Sequence, residues 1–308
     1  MSDLMIEITQ LSRFYDRKKV LDQINLEVKR GEVMGFLGPN GAGKTTTLRI
    51  LAGLLAPNEG SVRIAGIDIM EQPVAARTKI GFLPESPPLY DEMTVREYLV
   101  YLAQLRQVPS QQVNQAVDRA MDRCGLTAVA NRLLRNLSKG YRQRCGIAQA
   151  IVHSPEVVIL DEPTVGLDPI QIREIRGLIR ELGGDHSVIL STHILPEVQM
   201  TCNRVALIHN GRIVLQDSLE GLERHARRER GYRICWEHPP DEALLRGIAG
   251  IAEVSGDGTV WSVIPLASAD PIPELVRQSV AHGWGLRELT PVTQSLEEIF
   301  VRLATQEN

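Results

Sequence analysis

The sequence predicts an α/β protein built on a mostly parallel sheet, followed by a smaller α+β domain. Short apolar runs alternate with helical segments up to about residue 220, and the pattern changes after residue 230. The length of 308 residues also exceeds that of one small domain. Strands that alternate with helices favour a parallel sheet covered on both faces. We expect a large domain over 1–220, a linker helix over 221–230 and a small domain over 231–308.

The first elements follow from hydrophobic periodicity. Apolar and polar residues alternate at Met5–Thr9 and Ile24–Val28, which predicts two half-buried strands. The apolar run Val33–Leu37 is bounded by glycine and proline and predicts a buried strand. A glycine-rich turn and a helix over Lys44–Leu55 should follow, and Lys79–Leu83 again has the pattern of a strand.

A helical insert interrupts the alternation of strands and helices. Thr94 and Glu97 have the spacing of a capping box, and helical periodicity then continues to about Arg135. We place a helical subdomain at about 92–153. Three buried strands should follow, at Val157–Leu160, Val188–Leu190 and Val205–Ile208. His209–Gly211 has the composition of a hairpin turn.

The segment after residue 230 predicts its own small domain. Its expected strands and helices come in the order β-α-β-β-α-β, which is typical of a ferredoxin-like fold. The expected elements are Arg233–Trp236, Asp241–Ile248, Ile251–Val254, Val260–Ile264, Pro273–His282 and Gly285–Leu289, with a closing helix at Leu296–Leu303.

Composition excludes several classes of protein. Lysine and arginine number 34 and aspartate and glutamate 38, a net charge of −4, which argues against binding nucleic acid through bulk positive charge. No apolar run approaches the 18 residues of a membrane span, and the first ten residues do not form a signal peptide. The four cysteines are scattered, so neither a zinc site nor a disulfide framework is indicated.

A phosphate-binding loop is the most specific motif of the chain. Gly38, Pro39, Asn40, Gly41, Ala42, Gly43, Lys44 and Thr45 fit G-x-x-x-x-G-K-[ST] between a strand and a helix. The glycines allow backbone N–H groups to surround phosphates at the positive helix N-terminus. Lys44 can reach the β- and γ-phosphates, and the Thr45 hydroxyl can bind Mg²⁺.

Acidic residues at a second strand end indicate nucleotide hydrolysis. Asp161 ends the apolar run that begins at Val157 and can hold Mg²⁺, while Glu162 can polarise a water aimed at the γ-phosphate. His193 follows a neighbouring expected strand and should face the same edge of the sheet. The chain has no Asn-Lys-x-Asp motif for guanine, which weakens a GTPase interpretation.

Two further motifs resemble the ATP-binding subunit of ABC transporters over roughly residues 4–220. LSKGYRQR at Leu137–Arg144 is similar to the family signature, and Ser138 lies 23 residues before Asp161. DEPTVGLD at Asp161–Asp168 is similar to the joined Walker B motif and D-loop of that family. The resemblance implies a P-loop NTPase core with an antiparallel β subdomain and a helical subdomain. It also implies ATP and Mg²⁺ as ligands.

The resemblance also assigns roles to single residues. Tyr15 would stack on adenine, and Thr46 would join the phosphate loop as a nucleotide contact. Ser138 and Gly140 would face the γ-phosphate held by a second subunit, and Asp168 would lie at the dimer seam. The expected catalytic residues are Glu162, His193 and Lys44, and the expected metal ligands are Thr45 and Asp161. Glu85 is expected as a further metal ligand from its own carboxylate, not from the family pattern.

The same resemblance implies partners. The chain would form a homodimer, or pair with a similar ATPase, and would power transmembrane permease subunits on separate chains. It would then be cytoplasmic and peripheral at the inner face of the membrane, with no nucleic acid expected. The segment from Glu85, the signature and the ending PVTQSLEEIFVRL resemble ATPases of ABC-2-type exporters, in particular the gliding-motility-associated type.

Glu85 departs from the family pattern and leaves alternatives open. Family members typically carry glutamine at this position, whereas a carboxylate would either bind Mg²⁺ directly or repel Glu162 and the phosphates. Lys139 and Tyr141 also replace commoner residues of the signature. A regulatory ATP-binding module and an ABC ATPase that acts on nucleic acid or ribosomes are the alternatives. The cargo cannot be read from the sequence.

Overall fold

The chain divides into two compact units, Met1–Leu219 and Glu220–Asn308. The computed structural model describes residues 3–16, 18–222, 231–266 and 269–292. Within those ranges, no helix is both long enough and apolar enough to cross a membrane. The predicted linker helix falls largely on residues 223–230 and the closing helix Leu296–Leu303 on 293–308, so both predictions lie outside the described residues.

A six-stranded sheet forms the centre of the first unit. Its order is β10-β9-β3-β8-β7-β6, and every neighbouring pair is parallel except β9 and β10. The strands are β3 (Val33–Leu37), β6 (Ile80–Leu83), β7 (Val157–Asp161), β8 (Ser187–Thr192), β9 (Arg204–His209) and β10 (Arg212–Ser218). The mostly parallel sheet and the hairpin between β9 and β10 are therefore confirmed.

Alternation along these strands separates two hydrophobic cores. On β7, Val158 and Leu160 contribute to one cluster, while Val157 and Ile159 contribute to the other. Successive side chains of a strand point to opposite faces, so a strand that is apolar throughout must be covered on both sides. One cluster includes residues of the helical segment, and the other includes residues of the antiparallel sheet.

The first unit contains a second, antiparallel sheet with the order β2-β1-β4-β5. Its strands are β1 (Leu4–Tyr15), β2 (Lys18–Lys29), β4 (Glu59–Ile64) and β5 (Ile67–Asp68). The two strands expected from the sequence are confirmed but are longer than expected. β4, β5 and the helix α2 (Pro73–Thr78) were not predicted, because they are only six, two and six residues long.

Seven α-helices accompany these sheets in the described part of the first unit. Besides α2 they are α1 (Lys44–Leu51), α3 (Val95–Leu105), α4 (Val113–Arg123), α5 (Lys139–Ile151), α6 (Pro169–Leu182) and α7 (Leu195–Thr201). The capping box of Thr94 and Glu97 is present at α3. The prediction that α1 continues to Leu55 was wrong: Gly53 has φ 68°, a left-handed conformation that ends a helix readily.

The second unit has a four-stranded antiparallel sheet of order β12-β13-β11-β14. Its elements are β11 (Gly231–Trp236), α8 (Glu242–Arg246), β12 (Ile251–Gly256), β13 (Val260–Pro265), α9 (Ile272–Ala281) and β14 (Leu286–Val292). The third strand lies between the first two, and the fourth lies outside the first, which is the expected split β-α-β arrangement. Trp236, Trp261 and Trp284 belong to its core.

A buried histidine makes the stability of the first unit depend on pH. His153 Nε2 lies 3.1 Å from the Ile80 carbonyl oxygen, while its Nδ1 is buried without a hydrogen-bond partner. Burial, aided by the positive charge of Arg106, lowers the pKa of His153 from 6.5 to about 4. Between these values the unfolded chain binds a proton that the folded chain does not. The free energy of unfolding should therefore fall as the pH drops through this window, by about 3 kcal/mol.

His153→Gln should flatten this pH dependence, because glutamine can still donate to Ile80 but cannot take up a proton. Urea unfolding at several pH values, followed by circular dichroism, measures the slope. Tryptophan fluorescence would not follow this transition, because the three tryptophans lie in the second unit and His153 lies in the first. His238→Gln, at an exposed position, is the control. Equal slopes for wild type and His153→Gln would contradict the assignment.

Candidate functional site

Three neighbouring strands end at one edge of the parallel sheet. β8 lies between β3 and β7, and all three run in the same direction. The glycine-rich loop follows β3, Asp161 and Glu162 lie at the end of β7, and His193 follows β8. The fold therefore brings together three segments that are more than a hundred residues apart at their extremes.

The glycine-rich loop wraps around the Lys44 ammonium group. Lys44 Nζ donates to the Gly38 carbonyl oxygen at 2.8 Å and to that of Pro39 at 3.3 Å. Gly43 has φ 110°, and a Cβ at this position would lie 2.6 Å from Leu21 Cδ2. Only glycine fits there, because the backbone must turn steeply and pass close to β2 before α1 begins.

A cavity of about 350 Å³ opens at this edge of the sheet. Its volume lies within the range of ~300–1,000 Å³ typical of small-molecule sites. Predicted site residues account for most of its lining: Asn40, Gly41, Gly43, Lys44, Thr45, Thr46, Glu85, Glu162 and His193. We call it the phosphate cavity. Val20 and Val165 complete the lining, and neither was predicted.

Hydroxyl and carboxylate oxygens that could bind Mg²⁺ lie close together in the site. The Thr45 hydroxyl lies 3.5 Å from Asp161 Oδ1, and the Ser191 hydroxyl donates to the same oxygen at 2.6 Å. Asp161 is almost fully buried. Hydroxyl and carboxylate oxygens are the ligands that Mg²⁺ prefers, so Thr45 and Asp161 fit this ion.

Glu162 lies at the centre of the charged groups. One carboxylate oxygen lies 3.3 Å from Lys44 Nζ, and the other lies 3.1 Å from His193 Nδ1. Its backbone N–H donates to the Ser191 hydroxyl at 3.0 Å. The backbone of Glu162 has φ 47°, which is uncommon for a residue other than glycine. Backbone strain of this kind is found most often at functional sites. Glu162 is thus held by both its backbone and its side chain.

Other predicted residues lie outside the lining of this cavity. Ser138 is the exposed N-cap of α5, and its hydroxyl accepts from the Tyr141 N–H at 3.5 Å. Asp168 is the exposed N-cap of α6. Gly140 is packed so closely that a Cβ would lie 2.7 Å from the side chain of Gln171. Tyr15 is 44% exposed at the end of β1, with the Arg13 guanidinium 4.8 Å from its ring centre.

Glu85 lines the phosphate cavity without a partner of its own. It is exposed, and it forms no hydrogen bond or ion pair with any described residue. A carboxylate in this position can therefore take a ligand from the cavity. Both alternatives from the sequence, a metal ligand and a source of repulsion, remain predictions.

A buried carboxylate that the sequence analysis missed connects the two catalytic strand ends. Glu197 on α7 is 2% exposed and accepts from the Thr164 hydroxyl at 2.6 Å and the Thr192 hydroxyl at 2.7 Å. Arg176 Nη2 lies 3.3 Å from the same carboxylate. Thr164 comes two residues after Glu162, and Thr192 directly precedes His193. Glu197 therefore links the segment that follows Glu162 to the end of β8 that precedes His193.

Comparison with known proteins agrees with this geometry. The family model described as "ABC transporter" matches residues 21–165. The chain is 38% identical over 309 aligned positions to the uncharacterized ABC transporter ATP-binding protein YdbJ of Bacillus subtilis, covering 99% of this chain and 97% of that protein. It is 32% identical to the Nod factor export ATP-binding protein I of Paraburkholderia xenovorans, covering 100% and 99% of the two chains.

A solved structure extends the agreement to the fold. The dimeric post-hydrolysis state of the ATP-binding cassette MJ0796, bound to ADP and Pi, is similar with a TM-score of 0.63 and 26% identity. The similarity covers 70% of this chain and 99% of that cassette. The expected P-loop NTPase core with an antiparallel β subdomain is therefore confirmed. The phosphate loop, the paired carboxylates and the nearly full-length similarity together identify the chain as a member of the ABC transporter ATP-binding family.

Proposed function

We propose that this chain hydrolyses ATP at the phosphate cavity and that two copies enclose two ATP molecules to drive a transmembrane partner. The observation that carries the proposal is the convergence of Lys44, Asp161, Glu162 and His193 at one edge of the sheet. A phosphate-binding module without hydrolysis would not need the last two residues in contact.

Lys44 and Glu162 have complementary roles in this reaction. The Lys44 ammonium group, 6% exposed at the base of the loop, offsets charge on the β- and γ-phosphates. Glu162 accepts a hydrogen bond from the attacking water and directs its oxygen toward the γ-phosphorus. His193 is hydrogen-bonded to Glu162 and partly exposed, and it would contact the transferred phosphoryl group.

Thr45 and Asp161 would hold Mg²⁺, which offsets negative charge as the bond to the leaving phosphate breaks. Ser191 supports this role, since its hydroxyl binds Asp161 and also accepts from the Glu162 N–H. One serine therefore sets the distance between the metal-binding carboxylate and the water-binding carboxylate.

A second copy would complete the site from outside. Ser138 is exposed at the start of α5, where a hydroxyl and free N–H groups suit an anion, yet it does not line the phosphate cavity of its own chain. In a head-to-tail dimer, Ser138 and Gly140 of each copy would face the γ-phosphate of the other, with Asp168 at the seam. The dimeric form of the MJ0796 cassette supports this arrangement.

Export is the transport direction that we favour. The relative from Paraburkholderia xenovorans carries an export description and matches the whole chain. The transmembrane partner would be a separate permease, and this chain would lie on the cytoplasmic side of the membrane. Tyr15 would stack on the adenine, a contact in which the neighbouring Arg13 adds positive charge.

Steady-state ATPase activity against protein concentration tests the proposal. The rate per subunit should rise with concentration and then level off, because a site shared by two copies exists only in the dimer. Phosphate release from the purified chain is the measurement, and sedimentation with ATP gives the dimer fraction. A rate per subunit that is the same at all concentrations while the chain stays monomeric would contradict the shared site.

Glu197→Gln should lower kcat by about tenfold or more and leave KM nearly unchanged. An amide cannot accept from Thr164, Thr192 and Arg176 together, so Glu162 and His193 lose their fixed separation. The ATP-binding loop does not contact Glu197 and should be unaffected. Glu181→Gln, an exposed carboxylate on α6, is the control. A rise in KM without a fall in kcat would contradict the positioning role.

A further inference from the structure

Glu85 is a carboxylate in the lining of the phosphate cavity whose charge is not balanced. It is exposed and forms no ion pair or hydrogen bond with any residue that the structure describes. The basic groups of the cavity contact another carboxylate: Lys44 Nζ and His193 Nδ1 lie 3.3 Å and 3.1 Å from the two oxygens of Glu162. Bound phosphates add negative charge to the same cavity, and like charges held together repel each other. A cation beside Glu85 would therefore stabilise the ATP-bound site.

Lys139 is an exposed cation that also lacks a partner. It is the first residue of α5, and no carboxylate of the described residues lies close enough to its ammonium nitrogen to form an ion pair. The nitrogen lies against Gly166, so closely that a Cβ on this glycine would overlap with it. Asp168, two residues after Gly166, instead caps α6 by accepting from the Ile170 N–H at 3.0 Å. The Lys139 ammonium group therefore lies beside the D-loop with its charge unpaired.

A head-to-tail dimer would bring these two charges to one phosphate group. Ser138 and Gly140 of each copy would face the γ-phosphate held by the other, and Lys139 lies between them in the sequence. That γ-phosphate would lie in the cavity that Glu85 lines. A lysine side chain carries its ammonium group on a flexible four-carbon stem, so it can turn toward a carboxylate on the facing copy. Each dimer would contain two such pairs of opposite charges, one at each ATP.

We propose that Glu85 of each copy forms an ion pair with Lys139 of the other copy when ATP closes the dimer. The pair cancels the charge of Glu85 beside the phosphates and adds a contact between the copies at each site. It also gives one explanation for two charged residues that depart from the family pattern, since a glutamine at position 85 would need no cation beside it. This inference rests on the proposed function, because the two residues meet only in a head-to-tail dimer.

Two simpler arrangements differ from this pairing in one measurable property. In the first, Lys139 contacts only the γ-phosphate of the other copy. In the second, Glu85 contacts only Mg²⁺. Either arrangement makes the two residues act independently, so that the effect of replacing one does not depend on the identity of the other. Residues that form an ion pair are instead coupled, and a double-mutant cycle measures that coupling.

Removal of the Lys139 charge in two backgrounds forms this cycle. Sedimentation with Mg²⁺ and a non-hydrolysable ATP analogue gives the dissociation constant of the dimer. Lys139→Gln should weaken the dimer by about tenfold or more when residue 85 is glutamate, because Glu85 is then unbalanced beside the phosphates. In the Glu85→Gln background, the same substitution should weaken the dimer by about threefold or less. Equal effects in the two backgrounds would overturn the proposal.

Charge reversal tests whether the pair forms between copies. A dimer of Lys139→Glu has two acidic residues at each site, whereas each site of its mixed dimer with Glu85→Lys again has one acid and one base. With the ATP analogue present, a tagged Lys139→Glu chain should therefore capture untagged Glu85→Lys about tenfold better than it captures untagged Lys139→Glu. Equal capture of the two untagged chains would overturn a pair formed between copies.

Lys29→Glu and Glu71→Lys are the matched controls, because both positions are exposed and form no ion pair with a described residue. Each should dimerise like wild type, and a tagged Lys29→Glu chain should capture Glu71→Lys no better than itself. Failure of the proposed function is separately visible. A wild-type chain that forms no dimer with the analogue would overturn both the dimer and the pairing, whereas independent effects of Glu85 and Lys139 in a chain that dimerises would overturn the pairing alone.

Discussion

Replacing Glu162 with glutamine is expected to lower the rate of ATP hydrolysis by about 10²-fold or more, while ATP remains bound. The amide keeps the size of the side chain and can still contact Lys44 and His193 across the same distances, 3.3 Å and 3.1 Å in the wild type. It cannot accept a proton from the attacking water. The loss corresponds to about 2.7 kcal/mol of transition-state stabilisation.

The same variant should accumulate as an ATP-bound dimer. Glu162 and Lys44 form an ion pair. With an uncharged residue at position 162, the positive charge of Lys44 is no longer offset by a neighbouring carboxylate and attracts the phosphates more strongly. Binding should therefore be at least as tight as in wild type, and opening of the dimer, which depends on hydrolysis, should be slow. Phosphate release gives the rate, and sedimentation with ATP gives the dimer fraction. Wild-type turnover would remove Glu162 from the mechanism.

Glu85→Gln is the matched comparison, because it makes the same chemical change in the same cavity. Glu85 is exposed and has no partner among the described residues, whereas Glu162 is nearly buried and held by three groups. Glu85→Gln should therefore keep most of the activity if Glu162 alone orients the water. A large loss in this variant instead would favour direct binding of Mg²⁺ by Glu85.

The parallel core was predictable because its strands are apolar on both faces. Val157–Asp161 and Val33–Leu37 are fully buried runs between turn residues, a pattern that few other structures produce. β4 has the sequence EGSVRI, in which only Val62 and Ile64 are buried, so it lacked a signal strong enough to separate it from a loop. Its pairing with β1 is a tertiary effect that local periodicity does not contain.

The residues of the candidate site also fall into two groups, those that a local sequence motif reveals and those that only the fold reveals. The glycine-rich loop and the two carboxylates are contiguous motifs, and they could be found without a structure. Glu197 is an isolated glutamate in a short helix, and its role depends on Thr164 and Thr192, which are distant from each other in sequence.

Ser138→Asp is expected to abolish ATP-dependent dimerisation and to lower the ATPase rate by about 10²-fold or more. Aspartate caps a helix as well as serine does, so α5 should begin at the same place and the chain should be as stable as wild type. The added charge would face the γ-phosphate of the second copy and repel it. ATP binding by the single chain should be unchanged, because Ser138 does not line its own phosphate cavity.

Ser138→Ala separates charge from capping, since it removes the cap without adding a charge. This variant should lose about 1 kcal/mol of stability but much less activity than Ser138→Asp.

The decisive comparison mixes Ser138→Asp with Lys44→Ala, each inactive alone. A mixed dimer pairs the intact loop of one chain with the intact signature of the other, so an equimolar mixture should recover up to about a quarter of the wild-type rate. No gain on mixing would contradict sites that are shared between copies and act independently.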